Sequence, residues 1–220
     1  GIAFAQSQDA TMSAQDMNAL MEREKKRFAG AELAGKTLGV VGLGAIGSLV
    51  AQMGLDFGMD VVGFDPALSV EAAWRLPSDV QRMENPQSLV SRSDFVSLHL
   101  PVLNSTRGLV DADMLSHFKQ GSCLLNFARE EIVSIDAVVS ALNEGQLSRY
   151  VTDFPHPQLL GRQDTLLMPH IGASTAEAEE NCAVMAANQL RAFLEHGSIL
   201  NSVNFPAIEL ERTTDYRITI

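Results

Sequence analysis

Apolar residues follow two rhythms along this chain. From Ser13 to Phe28, "SAQDMNALMEREKKRF" is polar apart from a thin seam of Met17, Leu20, Met21 and Phe28, the spacing of a helix with one apolar edge. "AGAELAGK" breaks that pattern, and short runs that are apolar throughout then alternate with helical stretches. "TLGVVGLG" is followed by the helical "AIGSLVAQMGLDFG", and "DVVGFD" by "PQSLVSRS". "FVSLHL" precedes "DADMLSHF", "SCLLNFA" precedes "SIDAVVSALNEG", and "RYVTDF" and "TLLMPH" end the series. Strands without polar alternation are buried on both faces. Separated by helices, they predict an α/β fold: a doubly wound parallel sheet of the Rossmann kind.

The last long helix begins near "STAE", where Ser174 and Glu177 have capping-box spacing, and it stops at Gly197 after "FLEH". The tail is irregular until "YRITI", which reads as a first strand of a further unit. The expected organisation is a helical arm over residues 1–30, a nucleotide-binding domain over 31–200 and a tail over 201–220.

Charge narrows the function classes. Sixteen basic against 27 acidic residues leave a net charge of −11, which repels phosphate-rich surfaces and argues against nucleic acid or an anionic membrane as partner. No apolar run approaches the ~18 residues of a membrane span, and "GIAFAQSQDA" has no basic lead or long apolar core. A cytoplasmic protein is the expectation. Cys123 and Cys182 are too few for a disulfide scaffold or a metal site, and the apolar stretches around them predict two buried, reduced thiols.

The most specific local signal is "VVGLGAIG". Gly42 permits a tight turn, Gly44 lets the backbone approach a pyrophosphate, and Gly47 permits close helix–strand packing. Ala45 and Ile46 open the helix that supplies amide donors. Asp65 closes the next strand about 20 residues on, as the dinucleotide fingerprint requires. A carboxylate there accepts from ribose hydroxyls and repels a 2′-phosphate, and the following "PAL" offers no arginine. NAD rather than NADP is therefore the expected cofactor.

With "GKTLGVVGLGAIG", "FDPALSVEAAW", "SLHLP", "LLNFARE", "YVTDFP", "MPHIGAST" and "ENCAVMAANQLRAFLEHGSILNSVNFP" assembled, the chain resembles the D-isomer-specific 2-hydroxyacid dehydrogenases from Phe28 to Pro206. Within that family it is most similar to the bacterial phosphoglycerate dehydrogenase branch. The resemblance implies a nucleotide-binding domain from which most of the substrate domain is absent, and a continuation past "RITI". It also implies that the first helix packs across a partner, giving a homodimer.

Several roles follow from the resemblance. Arg129 would grip the carboxylate of a 2-hydroxy acid, and His170 would act as general acid/base. Asp153 would meet the nicotinamide carboxamide. Leu98, His99, Pro101 and Thr106 would wall the nucleotide, with His99 a structural member of that wall. Phe127, Ala128, Gly172 and Ala173 would make the remaining cofactor contacts. Two departures stand out. Glu130 occupies the place of a usual glycine, and the segment that usually carries a glutamate partner for the histidine reads "TDFPHPQLL", with His156 before Pro157. Another partner or water then holds His170, with Glu177 as one candidate.

The implied reaction is NAD-dependent oxidation of D-3-phosphoglycerate, the first step of serine synthesis. The alternatives are a dehydrogenase for another D-2-hydroxy acid, such as glycerate or lactate, and a non-catalytic NAD-binding dimerisation module.

Overall fold

The computed structural model describes residues 2–202 and 204–209, so the strand expected at "YRITI" lies outside the described residues. The chain divides into two compact units, Gly1–Met168 and Pro169–Ile220.

The first unit opens with helices α1 (Ile2–Gln6) and α2 (Ala14–Glu24). Ser13 caps α2 by accepting from the Asp16 amide, and the expected helix tightens to a 3₁₀ turn over Lys25–Phe28. The alternation then runs β1 (Thr37–Val41), α3 (Ala45–Asp56), β2 (Asp60–Phe64), α4 (Val70–Arg75), β3 (Gln81–Arg82), α5 (Pro86–Arg92) and β4 (Phe95–Leu98). It continues with α6 (Ala112–Ser116), β5 (Ser122–Asn126), α7 (Ile135–Asn143), β6 (Leu147–Thr152) and β7 (Thr165–Leu167). All seven strands pair in parallel in the order β3-β2-β1-β4-β5-β6-β7. The expected doubly wound sheet is thus present, with α4 and the short edge strand β3 added to it.

The apolar runs form these strands because both faces are covered. On β1, Leu38 and Val40 pack into one core with Ala51 of α3 and Val61. Val41 points the other way, into a larger core with Leu89 of α5, Val96, Leu98, Leu124 and Tyr150. Leu89, Val96 and Leu124 are fully buried, each worth roughly 1.5–3 kcal/mol relative to exposure. Cys123 on β5 is buried as expected. Strand order reverses between β1 and β4, and in open parallel sheets the crevice outside such a switch point is where ligands bind.

The second unit consists of a loop, the helix α8 (Ala176–His196) and a short antiparallel bridge between Ile199 and Ile208. Two expectations are corrected here. The cap is Thr175, which accepts from the Ala178 amide at 3.1 Å, so Ser174 lies outside the helix and the Ser174–Glu177 box does not form. Cys182 is exposed, because α8 buries none of its residues and the apolar stretch around that cysteine faces outward. The left-handed stop at Gly197 is present, with φ of 66°.

Candidate functional site

The turn after β1 has the form the glycine spacing requires. Gly42 has φ of 91° and donates its amide to the Phe64 carbonyl at 2.8 Å. A Cβ at Gly42 would overlap the His99 carbonyl oxygen and lie 2.8 Å from its carbon. A Cβ at Gly47 would overlap the Gly42 carbonyl oxygen, whereas one at Gly44 meets nothing within 4 Å. Gly42 and Gly47 are therefore demanded by protein packing. Gly44, the N-cap of α3, is left small toward open space, together with the exposed Ala45 and Ile46. An anion at this helix start meets free amide donors and the positive end of the dipole.

Asp65 follows β2 directly. Its Oδ2 accepts from the Leu43 amide at 2.8 Å and its Oδ1 from the Ala67 amide at 2.9 Å. The carboxylate is held beside a hollow of about 380 Å³ lined by Leu43, Gly63, Leu68, Leu76, Val80 and Arg82.

On the other side of the switch point, the ends of β4 and β5 enclose a hollow of about 240 Å³. Ile46, His99, Leu100, Pro101, Phe127, Ala128 and Arg129 line it, so six residues expected to be functional meet in one place. Leu98 is 1% exposed and belongs to the large core, so its side chain supports this wall from behind. The His99 Nε2 lies 2.9 Å from the Ser97 hydroxyl, and burial holds the imidazole below its ordinary pKa. The ring therefore stays neutral near pH 7, as a member of the wall. The Thr106 hydroxyl donates to the Pro101 carbonyl at 2.6 Å and accepts from the Leu103 amide at 2.8 Å, which fixes the shape of the loop from within.

Arg129 is exposed and donates through Nη1 to the Ala128 carbonyl at 2.6 Å, leaving further guanidinium donors for a ligand. Its backbone is held from below by Asn126, which is fully buried. Asn126 Oδ1 accepts from the Ala128 amide at 3.1 Å, while Nδ2 donates to the Arg129 carbonyl at 3.0 Å and reaches the Tyr150 hydroxyl at 3.4 Å. Burial pushes the Tyr150 phenol above its ordinary pKa, so the network is neutral. Glu130 is exposed, opens a 3₁₀ turn and makes no ion pair with Arg129 among the described residues.

Asp153 follows β6, next to β5 in the sheet. Its Oδ1 is buried and has no hydrogen-bond partner among the described residues. A buried acceptor without a donor is costly unless a ligand supplies one, which fits the amide group of a nicotinamide. His156 is exposed and caps the turn Pro157–Leu159, its Nδ1 accepting from the Gln158 amide at 3.3 Å. His170, Gly172 and Ala173 belong to the second unit and are exposed.

Ser97, Asn126 and Arg82 were not singled out from sequence. The first two stand out as polar residues inside otherwise apolar strands, but nothing in the sequence names their partners. Among the described residues, no group of three or more His, Cys, Asp or Glu side chains could hold a metal ion, and no helix is long and apolar enough to cross a membrane.

A parallel sheet with a glycine turn, a tethered carboxylate and an arginine loop around its switch point defines an NAD-binding α/β domain. The chain belongs to the D-isomer specific 2-hydroxyacid dehydrogenase family, whose NAD binding domain model matches residues 2–172. Among curated proteins it is 34% identical over 197 residues to D-3-phosphoglycerate dehydrogenase of Methanocaldococcus jannaschii, covering 87% of this chain and 37% of the relative. It is 37% identical over 191 residues to the Haemophilus influenzae enzyme of the same name, covering 81% and 45%. Among solved structures, the apo form of Rhodotorula graminis D-mandelate dehydrogenase matches with a TM-score of 0.74 at 26% identity, covering 90% of this chain and 59% of that one. D-lactate dehydrogenase of Aquifex aeolicus, complexed with NAD and lactic acid, matches with a TM-score of 0.65 at 25% identity, covering 80% and 61%. The chain spans less than half the length of the curated relatives it matches.

Proposed function

We propose that this chain is the cofactor-binding and catalytic-residue part of an NAD-dependent dehydrogenase that oxidises D-3-phosphoglycerate to 3-phosphohydroxypyruvate. The observation that carries the cofactor half is the Asp65 carboxylate tethered to Leu43, inside the glycine turn. That tether supports reading the carboxylate as a ribose acceptor beside a pyrophosphate cradle. Support for the substrate comes from the names of the curated relatives.

Bound NAD supplies the hydride acceptor. Gly44, Ala45 and Ile46 bind the pyrophosphate through main-chain donors, and Asp65 orients the adenosine ribose. Asp153 holds the nicotinamide carboxamide, while Phe127 and Ala128 wall the ring. Leu98, His99, Pro101 and Thr106 complete that wall, and Gly172 and Ala173 add main-chain contacts. Arg129 grips the substrate carboxylate and polarises the adjoining oxygen. His170 takes the hydroxyl proton as the hydride leaves the carbon, and returns it in the reverse reaction.

The assay joins this chain to the substrate domain of a phosphoglycerate dehydrogenase and follows NADH absorbance with phosphoglycerate, glycerate and lactate. Turnover of phosphoglycerate is expected, with loss of at least a hundredfold in Arg129→Ala and His170→Ala. Preference for lactate would favour the second reading, a different D-2-hydroxy acid, to which the matches with lactate and mandelate dehydrogenases point. Tight NAD binding with no turnover would favour a non-catalytic module, the reading suggested by His156 where a carboxylate is usual.

The arm also belongs to the proposal. Phe4 and Phe28 pack with ring centroids 5.1 Å apart, and the Arg27 guanidinium lies 5.8 and 5.9 Å from the two ring centres. Ile2 and Phe28 remain 80% and 42% exposed. The arm meets its counterpart in a homodimer, and equilibrium sedimentation showing only monomer at micromolar concentration would refute this.

A further inference from the structure

The hollow beside Asp65 contains a cation that the glycine motif does not account for. Strand β3 pairs with β2 so that Arg82 stands opposite Gly63. Residues paired across parallel strands point to one face, as do residues two apart on a strand. Gly63 and Arg82 therefore share a face. A Cβ at Gly63 would lie 2.8 Å from Leu43 Cδ1 and 3.3 Å from Val80 Cγ1, which makes that face the floor of the hollow. Gln81 turns to the opposite side, where its Oε1 accepts from Arg92 at 3.5 Å. Arg82 is exposed, lines the hollow with Asp65, Leu68 and Leu76, and takes part in no ion pair among the described residues.

We propose that Arg82 lays its guanidinium over the face of the adenine base and is a determinant of cofactor affinity. The inference rests on the reading of Asp65 as the ribose carboxylate. The strands β1, β2 and β3 are successive neighbours, each about 4.8 Å from the next. With the pyrophosphate at the end of β1 and the ribose at Asp65 beyond β2, the next group outward is the base, and it reaches the end of β3. Apart from Asp65, the other side chains there are Leu43, Pro66, Leu68, Ala73, Leu76 and Val80, which offer area and no hydrogen bonds to the edges of the base. A planar cation supplies what such a hollow lacks, a partner for the π face.

The competing role, pairing with a 2′-phosphate, is opposed by Asp65. Each of its oxygens is fixed by a main-chain amide, so the carboxylate is held in the place that phosphate would need.

Trp74 is the chain's single tryptophan and lines a neighbouring recess that shares Leu68, Ala73 and Leu76 with the hollow. Energy transfer from Trp74 to NADH therefore reports binding, and NAD, AMP and NADP are measured by competition. Arg82→Ala weakens NADH and AMP by the same factor, about three- to tenfold, because both carry adenine. Arg82→Lys recovers less than half of that loss, since an ammonium has no flat face. The ratio of NADP to NAD affinity stays unchanged. AMP affinity that does not move in Arg82→Ala would overturn the inference alone. A loss confined to NADP would assign Arg82 to the phosphate instead. A wild-type chain that fails to bind NADH would overturn the reading of Asp65, and this inference with it.

Discussion

The glycine turn makes a prediction in which stability and cofactor binding come apart. In Gly47→Ala the added Cβ overlaps the Gly42 carbonyl oxygen and lies 2.9 Å from its carbon, where ordinary carbon contacts begin near 3.5–4.0 Å. Neither side can yield cheaply. Gly42 is fixed by its amide bond to Phe64 at 2.8 Å, and Gly47 lies in the first turn of α3. The start of α3 must therefore move about 1 Å away from the sheet. With backbone on both sides of the clash the cost falls at the top of the overpacking range, about 3 kcal/mol. For a chain of this size that lowers Tm by roughly 6–12 °C. The same movement displaces the pyrophosphate donors, so NADH affinity falls tenfold or more. Gly44→Ala is the contrast. Its φ is −68°, which alanine adopts freely, and its Cβ meets nothing within 4 Å. Stability should hold or rise by about 0.5 kcal/mol, while binding falls because the new methyl occupies the approach to the pyrophosphate. Thermal unfolding by circular dichroism and a fluorescence titration with NADH are sufficient to read both variants. Equal melting temperatures for Gly47→Ala and wild type, or a Gly44→Ala variant destabilised by more than ~1 kcal/mol, would refute the reasoning.

Burial pushes the Cys123 thiol from 9.0 up to about 11, so the folded state favours the protonated form. The stability this represents is complete below pH 9 and is lost as pH rises through 9 to 11. It amounts to roughly 2–3 kcal/mol, and Cys123→Ala should flatten that part of a urea-unfolding profile against pH. At pH 8 iodoacetamide should modify the exposed Cys182 in the native chain and reach Cys123 only after unfolding, as mass spectrometry would show; equal rates would contradict the burial of Cys123. Asn126→Ala removes the acceptor for Ala128 and the donor to Arg129, and should cost about 2–3 kcal/mol by urea unfolding. It should also raise amide exchange over residues 127–129, and unchanged exchange there would remove Asn126 as the support of the arginine loop.

The legible parts of the fold were those where burial dictates composition. Strands β1, β4 and β5 read as apolar runs because both faces are packed, and Gly42 and Gly47 show because a Cβ at either would meet backbone. Edge strand β3 did not show, since two exposed polar residues at a sheet margin carry no periodic signal; Arg82 was hidden with it. The start of α8 was misread by one residue because Ser174 and Thr175 can both cap, and only the extended backbone at Thr175 decides between them. Cys182 was misread because apolar neighbours imply burial only when another element covers them. Asn126 bonds locally to Ala128 and Arg129, but a buried asparagine gives no sign of those partners in the sequence, and its contact with Tyr150 spans 24 residues.

The Leu43 amide sits between two glycines of the turn, yet its hydrogen bond goes to Asp65. In the proposed reading, the group that chooses the cofactor is thus also a brace for the turn that would hold its phosphates. Anyone redesigning this domain to accept NADP by exchanging Asp65 for a neutral or basic residue would be removing a strut together with a gatekeeper. A workable redesign has to give Leu43 a new acceptor, which favours serine or asparagine at position 65 over alanine or arginine.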